Sequence, residues 1–468
     1  MALPGRLPQE PAVVAAGAAR LPWGTLASYA LPGAGTHFLL MLLMVTYMNF
    51  ASDVLGISTA VVGSILFACK VWDAVFVPVV GHWSDRTRLR FGRRKPWLLA
   101  AAAPLALFSL MIFAPPASLA GPALVAWIAA SVLGFYTAFT VFDVPHMALG
   151  AELTQEVQGR NRVFGIRMLV NLLGLLAALV LGANVLEDLA SARENAFWLV
   201  ATAGGATALL IAVSVASLPP ERLDYAGRGG QSLWRSLRDV LRNPHARLLL
   251  LVLFIETIAI GGMSALMPFV ARYVVEMPDV MAEMFLVFTL PTIVSIPLWM
   301  WLGQRFERRK LWRFAMALSA LGISLQLFLD RGTLGIMAVS ALIAGTAMGC
   351  GATLGDAVKA DVIDYDEYAT GERKEGAYFA TWQLVRKLAT GLMLAVVGIG
   401  LDQAGFAPAA EQAESVRDAI RFLMGGLPAL ALGIAALLLG RFRLGQAEHT
   451  RILALLEARR ALREGATA

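Results

Sequence analysis

The chain has 468 residues, 58% of them hydrophobic and only 15% charged, with a mean hydropathy of +0.67. Soluble domains average about 25% charged residues, so the ordinary water-soluble globular class is excluded. The net charge of +6 is not a nucleic-acid signal, because its Arg and Lys sit mostly in short loops between apolar runs of roughly 20 residues, the length that crosses a bilayer as a helix.

Residues 1–26 carry Pro4, Pro8 and Pro11 and lack the apolar core and cleavage pattern of a signal peptide, so they read as a cytoplasmic tail. Twelve candidate spans follow, at 27–50, 60–82, 97–114, 121–148, 162–186, 195–217, 246–274, 280–303, 312–329, 333–358, 376–401 and 415–440. In hydrocarbon the backbone must satisfy its own hydrogen bonds, so each span is expected to be a helix. A polar connector at 218–245, with Pro219-Pro220 and a Gly-Arg-Gly-Gly stretch at 227–230, divides the spans into two sets of six, 27–217 and 246–440. Residues 441–468 form a second tail. Its Ile452, Leu453, Leu455 and Leu456 lie among Arg451, Arg459, Arg460 and Arg463, a pattern that suits an amphipathic helix at the inner membrane surface or a solvated, frayed end.

A basic phrase occurs twice, as Arg-Phe-Gly-Arg-Arg-Lys-Pro-Trp at 90–97 and Arg-Phe-Glu-Arg-Arg-Lys-Leu-Trp at 305–312. Each copy follows the second span of its half. The connector adds Arg222, Arg228, Arg235, Arg238 and Arg242, whereas the opposite loops are poorer in basic residues and tend toward acidic, with Asp53, Glu187, Glu276 and Asp402. Basic loops stay in the cytoplasm, which predicts both termini there and a bacterial inner-membrane location. Near the first phrase, Gly81 is expected to permit close helix approach. Asp85 is expected to pair with Arg86, Arg93 or Arg94 as a cytoplasmic gate that latches neighbouring helices; simple topology-setting charge is the plainer reading.

Ionisable side chains inside spans are costly, and they mark function, pairing or a water-filled cavity. Lys70 and Asp73 are three apart and share a helix face, which suits either a self-neutralising pair or a cation or proton site. Asp143 precedes Val144-Pro145-His146, and the proline perturbs the helix. Glu256 stands alone in an apolar run and is the second candidate for proton coupling. His37, Arg167, Arg386, Lys387, Asp356 and Lys359 complete the set, and a lone histidine such as His37 or His146 is more often structural. The two cysteines, Cys69 and Cys350, lie in apolar stretches of different halves and are not expected to pair. There is no Walker-type phosphate loop, no nucleophile–base set and no metal-ligand cluster, so neither an enzyme nor an ATP-driven pump is expected.

These residues resemble the major facilitator superfamily, in its glycoside–pentoside–hexuronide:cation symporter branch, to which the melibiose permease belongs. The most specific part runs from Asp361 to Phe379, with Asp364, Asp366, Glu367, Gly371, Arg373, Glu375 and Gly376. The second is Lys70 and Asp73 with Pro78, Gly81, Asp85 and the first basic phrase. The third is Asp143-Val-Pro145 with Arg167 downstream. The resemblance implies an all-α membrane protein of twelve transmembrane helices in two pseudo-symmetric six-helix bundles, worked by alternating access. It implies Asp73 as the cation-site carboxylate with Lys70 beside it, and Asp143, Arg167 and Lys387 as cavity residues. Two positions depart from the family: Val77 stands where a second acid is common, and His37 where the melibiose permease has a sugar-binding aspartate. A proton needs one titrating acid, so H⁺ is the expected coupling ion, with Na⁺ the alternative, and no cofactor is expected.

The expectation is a secondary transporter that takes up a sugar, glycoside or related small solute with a cation. Asp73, Lys70 and Glu256 would serve coupling, and His37, Asp143, Arg167, Trp382, Gln383 and Lys387 would line the solute path. The partners are the solute and the lipid bilayer, with no nucleic acid, and a monomer suffices. A lysophospholipid or other amphiphile symporter is the alternative on the same fold, and a non-transporting sensor is a third reading.

Overall fold

The computed structural model describes residues 21–467 apart from 88, 90, 154–156, 188, 222–237, 239, 278–280, 372–374 and 409. Most of the expected N-terminal tail and connector therefore lies outside the described residues. Twelve helices are long and apolar enough to span a membrane: α1 (Trp23–Asp53), α2 (Thr59–Ser84), α3 (Lys95–Phe113), α4 (Gly121–Gly150), α5 (Arg162–Ala183), α6 (Ala192–Ser217), α7 (Pro244–Val274), α8 (Glu283–Arg305), α9 (Arg308–Phe328), α10 (Leu334–Thr370), α11 (Ala377–Gln403) and α12 (Glu414–Leu439). A further helix, α13, covers Gln446–Thr467. The spans agree in number and order with the hydropathy pattern. The main difference is α10, which runs twelve residues beyond the expected 358. Its last part, Asp356–Thr370, is polar on average but buries Val358, Val362 and Ile363, so it is an amphipathic extension that apolar runs do not reveal.

An even number of spans puts α13 on the same face as the start of α1. The two copies of the basic phrase lie on that tail face, as the turns α2–α3 and α8–α9. α13 packs there against the end of α10, with Ile452 and Leu456 buried in the core of the second half. This favours the docked amphipathic helix over the frayed tail.

The two halves meet chiefly through α2 against α11, with α1 against α7 and α5 against α8. The α2–α11 approach depends on glycine. A Cβ on Gly63 would fall 2.6 Å from the Leu394 carbonyl oxygen, and one on Gly398 would fall 2.1 Å from that of Thr59. Polar ties reinforce the contact on the face opposite the tails. Tyr273 donates to Asp53 at 2.6 Å, Ser58 to Asp402 at 2.5 Å, and Thr59 to the Gly398 carbonyl at 2.9 Å. The halves are thus closed against each other at that face.

Candidate functional site

Asp73 lies near the middle of α2 and is 2% exposed. Its carboxylate is held from two other helices. Lys387 of α11 places Nζ 2.8 Å from Oδ2, and Thr140 of α4 donates to Oδ1. Lys387 belongs to the second half and Asp73 to the first, so the ion pair crosses the interface between them. Lys70 does not close the ion pair with Asp73 that their spacing allows. Its Nζ instead lies over the Tyr136 ring of α4, 4.4 Å from the centroid, where the ring's negative face offsets part of the charge. Val77, one turn beyond Asp73, offers no oxygen. Among the described residues, the side-chain oxygens joined here are the two of Asp73 and the Thr140 hydroxyl.

A second polar group joins α1, α4 and α5. Arg167 Nη2 donates to Asp143 Oδ1 at 2.5 Å, and Nη1 contacts Met147 Sδ. Arg167 Nε, His37 Nδ1 and Asn171 Oδ1 are buried without hydrogen-bond partners. Unmet polar atoms in one place suit a solute with hydroxyl groups, because leaving them unpaired is costly. Asn171, one turn after Arg167, escapes a reading of ionisable residues because an amide carries no charge. His146 is different. It is fully buried, stacked between Tyr29 at 4.4 Å and Phe142 at 4.8 Å, with Nε2 2.8 Å from the Tyr29 carbonyl oxygen. It ties α1 to α4, as the structural reading of a lone histidine has it.

In the second half, α11 turns one stripe outward. Phe379, Gln383 and Arg386 are exposed and Lys387 is half-buried beside them, at the i, i+4, i+7 and i+8 positions of one helix face. Trp382 falls off this stripe. It is 5% exposed, packed on Tyr378 and Phe379 inside the core, and its Nε1 has no partner. The expected lining role for Trp382 is corrected accordingly, and Phe379 has the exposed aromatic position. Glu256 of α7 also points into the second half, against Gly351 and Trp312, beside a small cavity lined with Met316 and Ser319. Its charged neighbours are Lys359, Arg386 and Asp356, so it is not brought together with Asp73. Lys359 holds Asp356 at 2.7 Å, and Arg386 reaches the same oxygen at 3.8 Å.

The first basic phrase forms a tether on the tail face. Gly92 has φ 111°, which the turn requires. The turn presents the backbone N–H groups of Arg93, Arg94 and Lys95 to the Glu221 carboxylate, at 2.7, 2.9 and 2.8 Å. Arg93 bonds Glu152 at the end of α4 at 2.6 Å, and Arg94 bonds Ser84 Oγ at 2.6 Å. Lys95 Nζ donates to the Leu218 carbonyl at 2.6 Å. Arg86 is exposed. The Asp85 side chain, expected to supply the acid, lies outside the described residues; Glu152 and Glu221 are acids that the motif reading missed. Gly81 is also corrected. A Cβ there would meet Val144 at an ordinary 3.8 Å, so no close approach depends on it.

Residues 28–446 match the family model described as MFS/sugar transport protein. The chain belongs to this family. It is a family of transporters and not of enzymes, and the chain is an integral membrane protein of the major facilitator fold. Among curated relatives, this family member is 25% identical to the isoprimeverose transporter of Lactiplantibacillus pentosus, over 94% of this chain and 92% of the relative. It is 25% identical to the glucuronide carrier protein homolog of Escherichia coli strain K12, over 79% of this chain and 81% of that one. A crystal structure of a D-xylose–proton symporter superposes with a TM-score of 0.64 at 14% identity, covering 90% of this chain and 97% of that chain; this likeness supports the fold alone.

Proposed function

We propose that this family member is a proton-coupled symporter of a sugar, glycoside or related small solute, working by alternating access. The observation that carries the reading is the Asp73–Lys387 ion pair. A proton on Asp73 would cancel the charge that holds α2 to α11, so protonation and the relation between the halves would be linked. His37, Asp143, Arg167, Asn171 and Gln383 would meet the solute, and Glu256 would be a separate titrating group within the second half. One titrating acid with few oxygen neighbours suits H⁺ better than Na⁺. Resemblance to relatives that carry sugars supports the solute class, and the amide and charged groups along the path suit hydroxyls better than an acyl chain.

The basic turns on the tail face support a cytoplasmic side for both tails by the positive-inside rule, and the bacterial relatives support an inner membrane. The closed face would then be the outer one, and the form described would be closed to the outside. Right-side-out membrane vesicles test the coupling. Solute accumulation should collapse when a protonophore removes the proton gradient and should not depend on sodium; uptake indifferent to the gradient would sink the claim.

A further inference from the structure

The two copies of the basic phrase part company at their ends. After Trp97 the chain continues Leu98-Leu99, whereas after Trp312 it continues Arg313-Phe314. In the first half Lys95 is buried and holds the Leu218 carbonyl, and Leu98 is buried beside it. In the second half the matching Lys310 keeps 75% of its side chain exposed. Arg313 is exposed too and forms no ion pair among the described residues. Glu307 meets Lys310 at 3.0 Å but also takes Arg309 at 2.8 Å, so one acid faces two bases and Arg313 adds a third. These bases border an open groove of about 550 Å³ between α9 and α12. Lys310, Arg313, Phe314 and Ala317 form the α9 wall, at the i, i+3, i+4 and i+7 positions of one helix face. Gly433 and Leu437 belong to the α12 wall, and a Cβ on Gly433 would meet nothing within 4 Å, so glycine there leaves the groove open.

The groove has a charged mouth and an apolar depth. α9 starts and α12 ends at the tail face, so Lys310 and Arg313 lie nearest that face, while Ala317 and Gly433 lie deeper. The rise from Lys310 to Ala317 is about 10 Å. The Arg313 guanidinium reaches across the mouth, with Nη1 3.1 Å from where a Gly440 Cβ would stand at the end of α12. Phe314 and Leu437 are exposed along the walls. We propose that this groove binds an anionic phospholipid of the tail-face leaflet, its phosphate on Arg313 and Lys310 and an acyl chain along Phe314, Leu437 and Gly433. Guanidinium and ammonium groups bind phosphate through charge-assisted hydrogen bonds, and basic pockets between membrane helices take acidic head groups. A zwitterionic lipid offers the same chains, but its own cation offsets its phosphate, so it gains less from surplus bases. A lipid seated here bridges α9 and α12, as Arg309 does through the Phe442 carbonyl, and braces the second half. Neither helix carries a residue of the Asp73 or Arg167 groups, so the site stands apart from the symport reading.

The test uses the full-length protein in detergent, with native mass spectrometry to count bound lipid and thermal unfolding to read stabilisation. Phosphatidylglycerol and phosphatidylcholine with the same acyl chains are the competing probes. Phosphatidylglycerol should be retained in preference and should raise the thermal midpoint further. A base near an anionic head group is worth about a fivefold factor in binding. Arg313→Gln should therefore lower phosphatidylglycerol retention about fivefold, and the double variant with Lys310→Gln about thirtyfold. Gly433→Leu should lower it as well, by filling the groove where the backbone has room for a side chain. Arg193→Gln, which removes an exposed base at the start of α6 on the opposite face, should leave it unchanged. Matched thermal midpoints of parent and variants in phosphatidylcholine show that a loss is not unfolding. Equal retention of the two lipids by the parent, or an equal loss on Arg193→Gln, would overturn the site. A loss on Arg313→Gln with none on Gly433→Leu would overturn the groove in favour of surface charge alone. Protection by inorganic phosphate as strong as that by phosphatidylglycerol would overturn the lipid in favour of a soluble anion.

Discussion

Lys387 Nζ and Asp73 Oδ2 are 2.8 Å apart, and they belong to different halves of the molecule. The same two helices approach closely through Gly63 and Gly398 nearer the closed face. The ion pair therefore sits at the inner end of the tightest contact between the halves. Removing the charge of Asp73 while keeping its shape should separate movement of solute from movement of protons. Asp73→Asn should lower gradient-driven accumulation by at least about tenfold, while solute exchange across vesicles at equal concentrations persists. Wild-type accumulation by Asp73→Asn would remove this residue from the coupling mechanism.

The closed face has its own tie. Tyr273 donates to Asp53 at 2.6 Å, and the Asp53 side chain is fully buried with Arg272 at 3.8 Å. Hydrogen bonds to charged groups contribute about 1.5–3 kcal/mol. Tyr273→Phe should therefore shift the population toward the form open at this face by roughly tenfold or more. The measurement is maleimide labelling of an Ala395→Cys reporter, buried at the α2–α11 contact in the closed form, with and without Tyr273→Phe. Both native cysteines are buried, so background labelling is expected to be low. Equal labelling rates would show that the hydroxyl does not hold the gate.

The helices were legible because each must hide its backbone in hydrocarbon, and that demand is written as apolar length. The partners of the charges were not. Lys70 and Asp73 share a helix face by spacing, yet Asp73 closes on Lys387, because the α2–α11 approach brings a base from 314 positions away. Thr140 was visible only as one hydroxyl in an apolar run, three residues before Asp143. Trp382 and Phe379 differ by less than one turn, and only packing decides which of them is exposed. An acid is expected at Asp85 because Asp85 is adjacent to the arginines; Glu152 and Glu221 come from other elements and carry no local signature.

The basic phrase is wired alike in the two halves. Arg93 bridges to Glu152 at the end of α4, and Arg308 bridges to Asp361 towards the end of α10 at 3.5 Å. A carbonyl just past a helix end is held in both copies, by Lys95 at Leu218 in the first and by Arg309, the counterpart of Arg94, at Phe442 in the second. The first pair is the more buried, at 8% and 13% side-chain exposure against 36% and 16%. Breaking a buried pair leaves an uncompensated charge and costs about 3–5 kcal/mol, whereas an exposed pair is worth about 0–1 kcal/mol. Glu152→Gln should thus lower the thermal midpoint in detergent clearly more than Asp361→Asn does. The reverse order would mean that burial does not set the strength of these ties.

The α13 helix makes a last prediction. His449 lies between two acids of α10, with Nε2 2.9 Å from Asp364 Oδ2 and Nδ1 3.5 Å from Asp361 Oδ1. A doubly protonated ring can donate from both nitrogens, whereas a neutral ring donates from one. The apolar anchor is Ile452 and Leu456, both buried against the second half. Burial of such side chains contributes about 1.5–3 kcal/mol each, so the anchor should dominate and the histidine should modulate. His449→Ala should raise amide exchange in α13 several-fold. Ile452→Ser should raise it much further, towards that of an undocked helix. Exchange measured by mass spectrometry in detergent checks the ranking. A larger effect from His449→Ala would show that charge, rather than apolar burial, holds the helix to the tail face.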